Sequence, residues 1–305
     1  MKQWLAFLLI GLLALGSGAR AEKGDPQRQA QIQKLQKLLE GLHPQNGDVS
    51  VERAEVVLHL GEAYYFLPPG EAQRVLTEAW ENPQYGVRGV LGMIFPAGHN
   101  PIATPWGAII RYEDSGYVSD DEAGASDYDA ILKSFQEGEA ERNEERVRLG
   151  FGTVHTVGWA QPPTYDRKAH SLIWAHHLRF SDDPKDGLNY DVRLLGRNGV
   201  LSLNIVSGMW ALPAIREDAA SLARKIEFKP GYRYSDYVKD VDKRAGYGLA
   251  GLVAAGIGVT AAKKLGLLAV LLPFAKKAFA LVLVGLAFAW RRIVRLFRRG
   301  SGEGD

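Results

Sequence analysis

The side chains best equipped for chemistry lie between Trp159 and Arg197. Three histidines, His170, His176 and His177, share the segment HSLIWAHHLRF. On a strand His170 and His176 face one side and His177 the other. Six residues of strand separate the first two by roughly 20 Å, too far to share one ion. No metal site is therefore expected. Asp166 and His170 are near enough in sequence to form an acid/base pair, provided they come within hydrogen-bond reach. Trp159, Tyr165, Asp166, His170, Trp174, Tyr190, Arg193 and Arg197 place aromatic and charged groups on one set of strands. Such a set suits a groove that binds a peptide, a glycan or a lipid headgroup. Its aromatics also suit an ordinary sheet core, the plainer of the two readings.

Other motifs exclude more than they offer. Asp120, Asp121, Glu122, Asp127 and Asp129 are clustered, but they lack the spacing and glycine of an EF-hand. They read as a solvated helix entrance, where carboxylates meet a positive helix end. The string GYGLAG at Gly246–Gly251 matches a dinucleotide fingerprint by letters alone. No strand precedes it, and it sits in an apolar region. There is no P-loop, no HExxH, no GxSxG and no cysteine. No cofactor is expected.

The elements that must position these residues lie in Gly150–Gly208. Four runs rich in Val, Ile, Leu, Tyr, Trp and Phe read as strands: Thr153–Trp159, His170–Phe180, Leu188–Leu195 and Val200–Val206. Pro162-Pro163 separates the first from the second, because proline cannot donate to a ladder. Asn198-Gly199 predicts a type I′ hairpin with positive φ at both residues. The expectation is an antiparallel meander. Upstream, spacings of three and four predict helices over Pro26–Leu42 and Pro69–Trp80, and one long charged helix over Asp127–Arg148. Strands are expected at Glu55–Leu60, Tyr64–Leu67, Gly89–Phe95, Trp106–Tyr112 and Tyr117–Ser119. A further helix is expected over Pro213–Phe228. The fold class is α+β: a mostly antiparallel sheet with flanking helices, followed by C-terminal membrane helices. The element order resembles the PsbP-like sandwiches, an analogy that licenses no function.

Charge divides the 305-residue chain. Residues 246–305 hold nine basic and two acidic residues, and residues 22–245 hold 26 basic and 33 acidic. An acidic body with a basic end argues against nucleic acid as a partner and suits a domain hung on a membrane. Residues 1–21 read as a signal peptide, with Lys2 before an apolar run and Ala19-Arg20-Ala21 at the cut. Residues 22–245 form the exported domain, 246–298 a hydrophobic anchoring region, and 299–305 a polar tail. Gly246, Ala250, Ala254, Gly258, Ala262 and Gly266 fall at every fourth position, a stripe that allows close helix–helix packing with a membrane-protein partner. One span over 246–262 places the Arg-rich tail on the cytoplasmic side; two spans fit the apolar lengths better. Both topologies stay open. Tyr234–Arg244, if helical, pairs its alternating charges and sets Tyr232, Tyr234, Tyr237 and Tyr247 as an aromatic belt at the bilayer.

The segments GVRGVLGMIFP, RYEDSGYVSDDEA, GFGTVHTVGWAQPPTYD, HSLIWAHHLRF, LNYDVRLLGRNGVLSLNIV and YSDYVKDVDKRAGYGLAGLVA occur in this order over nearly the whole mature chain. They resemble the bacterial membrane-anchored family called domain of unknown function 2167. The resemblance implies an exported protein fixed in the inner membrane and supplies no catalytic set. The expected role is a non-enzymatic binding or accessory module facing the periplasm. A hydrolase or transferase using Asp166 and His170 is the alternative.

Overall fold

Strand-forming runs of β-branched and aromatic residues build two antiparallel sheets in the computed structural model, which describes residues 26–124 and 126–255. Helix α1 (Pro26–Glu40) comes first. Strands β1 (Asp48–Val51) and β2 (Val56–His59) pair with each other, and β2 also pairs with β10 (Ile226–Phe228). The larger sheet contains β3 (Tyr64–Leu67), β4 (Val90–Pro96), β5 (Gly107–Glu113), β6 (Val154–Asp166), β7 (Ser171–Phe180), β8 (Gly187–Leu195) and β9 (Val200–Gly208). Its order is β3-β4-β5-β9-β8-β7-β6, so the last four strands form the expected meander. The fold class is α+β with mostly antiparallel sheets. The short β1 and β10 were not expected. β10 takes the place of the last turn of the helix foreseen over Pro213–Phe228, and α5 stops at Ala223 (Leu212–Ala223).

Alternation along the strands gives the large sheet two different faces. One face packs Leu188, Tyr190, Val192 and Leu194 of β8 and Leu201, Leu203 and Ile205 of β9 against the small sheet and against Ile215, Ala219 and Leu222 of α5. The other face carries a second, smaller core. There Tyr65, Met93, Phe95 and Ile109 meet Ala72 of α2 (Pro69–Arg74) and Val75 and Leu76 of the π-helical turn after it. On that same face Phe135 of α3 (Tyr128–Glu137) covers the β6–β7 side.

Several local expectations are corrected by packing. The helix over Asp127–Arg148 is two helices, α3 and α4 (Glu139–Arg148), divided at Gly138. Asp127 caps α3 by accepting the Ala130 N–H at 3.0 Å. The proline pair does not end β6. The strand runs through it with irregular register, which is tolerated because β6 is an edge strand and prolines there leave no neighbour unpaired. Neither Asn198 nor Gly199 has positive φ, so the hairpin is not type I′. Gly199 is required for a different reason: a Cβ there would collide with the Glu113 carbonyl and the Tyr112 ring. Tyr117–Ser119 forms no strand; Tyr117 makes one isolated parallel bridge with Arg244.

After β10 the chain crosses the end of the large sheet as a bonded strap. The Tyr117 N–H donates to the Lys243 carbonyl at 2.8 Å, and the Ala245 N–H donates to the Tyr117 carbonyl at 2.8 Å. Arg197 grips Asp242 with two bonds of 2.8 Å. Lys243 Nζ donates to the Asp114 carbonyl, and Tyr247 Oη donates to Glu113 Oε1. Gly116, with φ of 88°, lets the Lys243 carbonyl approach where a Cβ would stand 2.5 Å from it. The helix expected over Tyr234–Arg244 is not formed. Only Tyr234–Asp236 is helical, as a 3-10 turn, and Asp240 has φ of 66°. Tyr234 and Tyr237 stack on Tyr117 at 4.6 and 3.8 Å and so do not form an outward belt. Residues up to Leu249 belong to one compact unit; Ala250 onward belongs to a second, which is described only through Ala255. Helix α6 (Leu249–Ala255) carries Ala250 and Ala254 of the small-residue stripe. Gly246 precedes that helix, and Gly258, Ala262 and Gly266 lie outside the described residues. No helix among the described residues is long and apolar enough to cross a membrane.

Candidate functional site on the polar face of the meander

Opposite the apolar side of β8 and β9, alternation turns Asn189, Asp191, Arg193, Ser202 and Asn204 to the other face. The register puts Trp174, Asp191 and Asn204 in one row, and Leu172, Arg193, Ser202 and Arg111 in the next. Asp191 is 4% exposed. A buried carboxylate must be paired, and it is. It accepts from Arg193 at 2.8 Å and from Asn204 Nδ2 at 3.1 Å. Asn204 also donates to Asn189. The Arg193 guanidinium lies 5.1 Å over the Trp174 ring, close enough for cation–π attraction. Arg111 donates to the Gly86 carbonyl at 2.6 Å. Burial lowers its pKa, Arg193 lowers it further, and Asp191 pulls it back up. The centre of the sheet therefore holds a polar row between two apolar clusters.

Beside this row is an aromatic group with unused nitrogens. His176 stacks on Trp159 at 4.7 Å, and Phe135 meets both rings edge-on. Burial pushes the His176 pKa down, partly offset by attraction to Asp191, so the ring is held neutral. Nε1 of Trp159, Nε1 of Trp174 and Nε2 of His176 are buried and have no hydrogen-bond partner among the described residues. Two are N–H donors, and the third takes either role according to tautomer.

The structure brings together Trp174, Arg193 and, through His176, Trp159. It does not bring the remaining expected site residues to this face. Tyr190 belongs to the larger core, where its hydroxyl donates to Gln161 Oε1 at 3.2 Å. Tyr165 donates to Asp120 at 2.9 Å and lies 3.4 Å from His170 Nδ1 at the strap end of the sheet. Burial, then the Asp120 bond, pushes the Tyr165 pKa up. Asp166 is occupied in its own turn, accepting from the N–H groups of Lys168 and Ala169 at 2.8 and 3.2 Å. His170 faces Tyr165 and packs on Tyr234 at 4.3 Å. No hydrogen bond or ion pair joins Asp166 to His170. Arg197 serves the strap. His177 lies on the other face of β7 and bonds Asp186 at 2.5 Å. Among the described residues no three His, Cys, Asp or Glu side chains are placed to hold a metal.

Sequence reasoning missed Asp191, Asn189, Asn204 and Arg111. Their signal was present in the alternation of LNYDVRLL and LSLNIV. Polar residues at every second place normally mean a face in water; here part of that face is buried.

The fold and this face define an α+β domain with a polar row inside a seven-stranded antiparallel sheet. The chain belongs to the family described as protein of unknown function (DUF2167), whose model matches residues 43–287. No curated protein matches the chain. Two solved structures are similar at low scores. The cyanobacterial PsbP (CyanoP) from Synechocystis sp. PCC 6803 has a TM-score of 0.34 at 6% identity, covering 70% of this chain and 99% of that one. The Saccharomyces cerevisiae Ran-binding protein Mog1p has a TM-score of 0.33 at 8% identity, covering 64% of this chain and all of that one.

Proposed function

We propose that this protein is an exported bacterial envelope module, tethered to the inner membrane by residues 246–298, that binds a partner on its periplasmic body and performs no catalysis. The observation that supports it most is how the carboxylates of the sheet, its turns and the strap are occupied. Asp191, Asp166, Asp186, Asp120 and Asp242 are each engaged by partners in their own chain. The one acid/base pair the sequence offered, Asp166 and His170, shares no hydrogen bond: Asp166 accepts from its own turn and His170 faces Tyr165. Support for the tether comes from the signal-like residues 1–21, the apolar region 246–298 and the small-residue stripe. A sandwich of the PsbP type belongs to the same reading.

The partner is expected at the end of the sheet remote from the strap. β9 runs from the Arg197 loop towards Trp210 over nine residues, roughly 27 Å of strand. Trp210 is 71% exposed there, and exposed tryptophans are frequent binding anchors. A photo-crosslinking residue replacing Trp210 in the full chain, expressed in cells, tests this. One discrete envelope-protein adduct, lost when residues 1–21 are deleted, is the expected result. Recovery of bulk lipid and abundant porins alone would sink the proposal.

A further inference from the structure

We infer that Arg111, Ser202 and Arg193 form a binding site for the carboxylate group of a ligand, beside the unbonded indole N–H of Trp174. The three side chains share one row of the large sheet: Arg111 of β5 and Arg193 of β8 each stand opposite Ser202 of β9. Directly opposed residues point to the same face. Strands lie about 4.8 Å apart, so the two arginines start roughly 10 Å apart and their long arms reach one small group over Ser202. Trp174 adjoins them, its ring 5.1 Å from the Arg193 guanidinium. The site lies towards the strap end of β9, away from Trp210, and does not depend on the membrane tether.

Each of these groups has hydrogen-bonding capacity to spare. Arg111 donates from one nitrogen to the Gly86 carbonyl, and Arg193 from one nitrogen to Asp191, which leaves most of the N–H groups of both guanidiniums over. Ser202 is 8% exposed, yet its hydroxyl has no partner among the described residues. Buried side-chain nitrogens and oxygens without partners belong, among the described residues, to Trp159, Trp174, His176 and Tyr237 alone. The unused atoms of Arg111, Arg193 and Ser202 therefore still reach solvent, and a ligand can reach them.

Charge selects a carboxylate. The ionised groups that act on Arg111 are Arg193 and Asp191, so two guanidiniums share one buried carboxylate. Burial, and next the neighbouring Arg193, lower the Arg111 pKa, as expected of a cation short of counter-charge. Nearby, Glu113 is exposed and accepts from Tyr247 Oη, and Glu122 is exposed beside Gly248. Neither bonds either arginine. The surplus is one positive charge, Arg111 and Arg193 against Asp191. A singly charged carboxylate neutralises it, and a phosphate dianion overfills it. The planar arginine fork also matches the two oxygens of a carboxylate.

The chain has seven tryptophans, each with one indole N–H signal in a proton–nitrogen NMR spectrum. The Trp174 signal is the one lost in Trp174→Phe. The test titrates the full chain, in uncharged maltoside micelles, with sodium acetate replacing sodium chloride at constant ionic strength. The expected result is a saturable shift of the Trp174 signal that is lost in Arg111→Gln. Arg111→Lys keeps the charge without the fork and should weaken acetate several-fold. Asp191→Asn removes the internal counter-charge and should tighten acetate several-fold. Should Arg111→Gln misfold, these last two variants still move the affinity in opposite directions. Inorganic phosphate, added as its dianion, should bind the parent more weakly than acetate does. No saturable shift on replacing chloride by acetate, or one that survives in Arg111→Gln, overturns the site. Tighter binding of phosphate than of acetate overturns the carboxylate assignment. Unchanged or weaker acetate binding in Asp191→Asn overturns the charge count on which that assignment rests.

Discussion

At the scale of the residue, Asp191 decides how the polar face should be understood. A buried ion pair contributes little net stability compared with well-packed apolar residues, because desolvating two charges offsets their attraction. Breaking one is different: Arg193, whose side chain is 15% exposed, would be left buried without its counter-charge. Asp191→Ala is expected to lower unfolding stability by about 3–5 kcal/mol. Asp191→Asn keeps an acceptor for Asn204 and should cost less. Urea unfolding of the two variants against the parent measures both. If Asp191→Ala matched the parent, the row would have to be solvated and the packing described above would be wrong. His176 obeys the same logic in neutral form. Its ring stacks on Trp159, meets Phe135 edge-on and is kept uncharged by burial, so it packs like an aromatic.

At the scale of the element, the informative strand is β6. It forms one edge of the large sheet, and an open edge invites pairing with another chain. Here side chains occupy it. Asn143 of α4 donates to the Val154 carbonyl at 3.0 Å and accepts the Val154 N–H at 2.9 Å, as a neighbouring strand would. Glu139 accepts the Thr156 N–H, and Gln136 donates to the Thr156 carbonyl. Arg216 of α5 donates to the Ala160 carbonyl, and Pro162-Pro163 come next along the strand. Asn143→Ala removes two bonds from a buried position and is expected to cost about 1–3 kcal/mol. It should also promote concentration-dependent association, visible by light scattering; a variant of unchanged stability that associates no more than the parent would show the edge to be protected otherwise. The sequence revealed the strands of the meander because hydrophobic alternation and turn residues are local. It did not reveal this protection. In EAERNEERVR a single Asn among charges reads as a solvated face, and only tertiary contact shows Asn143 to be buried. Likewise Glu55–Leu60 and Tyr64–Leu67 were legible as strands, yet nothing local says that they enter different sheets. Aromatic and charged residues of the meander were legible as a set. Their division between two faces depended on a register that bulges in β6 and the Arg167–His170 turn shift out of sight.

At the scale of the whole molecule, the strap closes one end of the described body across Tyr117. It is hydrogen-bonded to Tyr117, Asp114, Glu113 and Arg197. The Arg197–Asp242 pair is its only bidentate ion pair among the described residues, and it also closes the Val238–Asp242 turn. The Asp242 pKa is lowered, first by the hydrogen bond from Arg197 and then by the backbone bond from Val238. A carboxylate whose folded pKa lies below its unfolded value stabilises the fold fully above the unfolded value, here 3.8, and that stabilisation is lost as pH falls through the folded value. The strap should therefore stay closed at neutral and mildly acidic pH and loosen only below about 3.8, the ordinary aspartate range. Hydrogen exchange of the full chain reads this directly at the amides of Tyr117 and Ala245, which are bonded across the strap. In the parent, their protection, corrected for the intrinsic pH dependence of exchange, should hold down to that range and then fall. In Arg197→Ala it should already be reduced at neutral pH, with the amides of the central strands β8 and β9 unaffected. Equal protection in parent and variant would show that the backbone bonds alone hold the strap and that its closure owes nothing to Arg197.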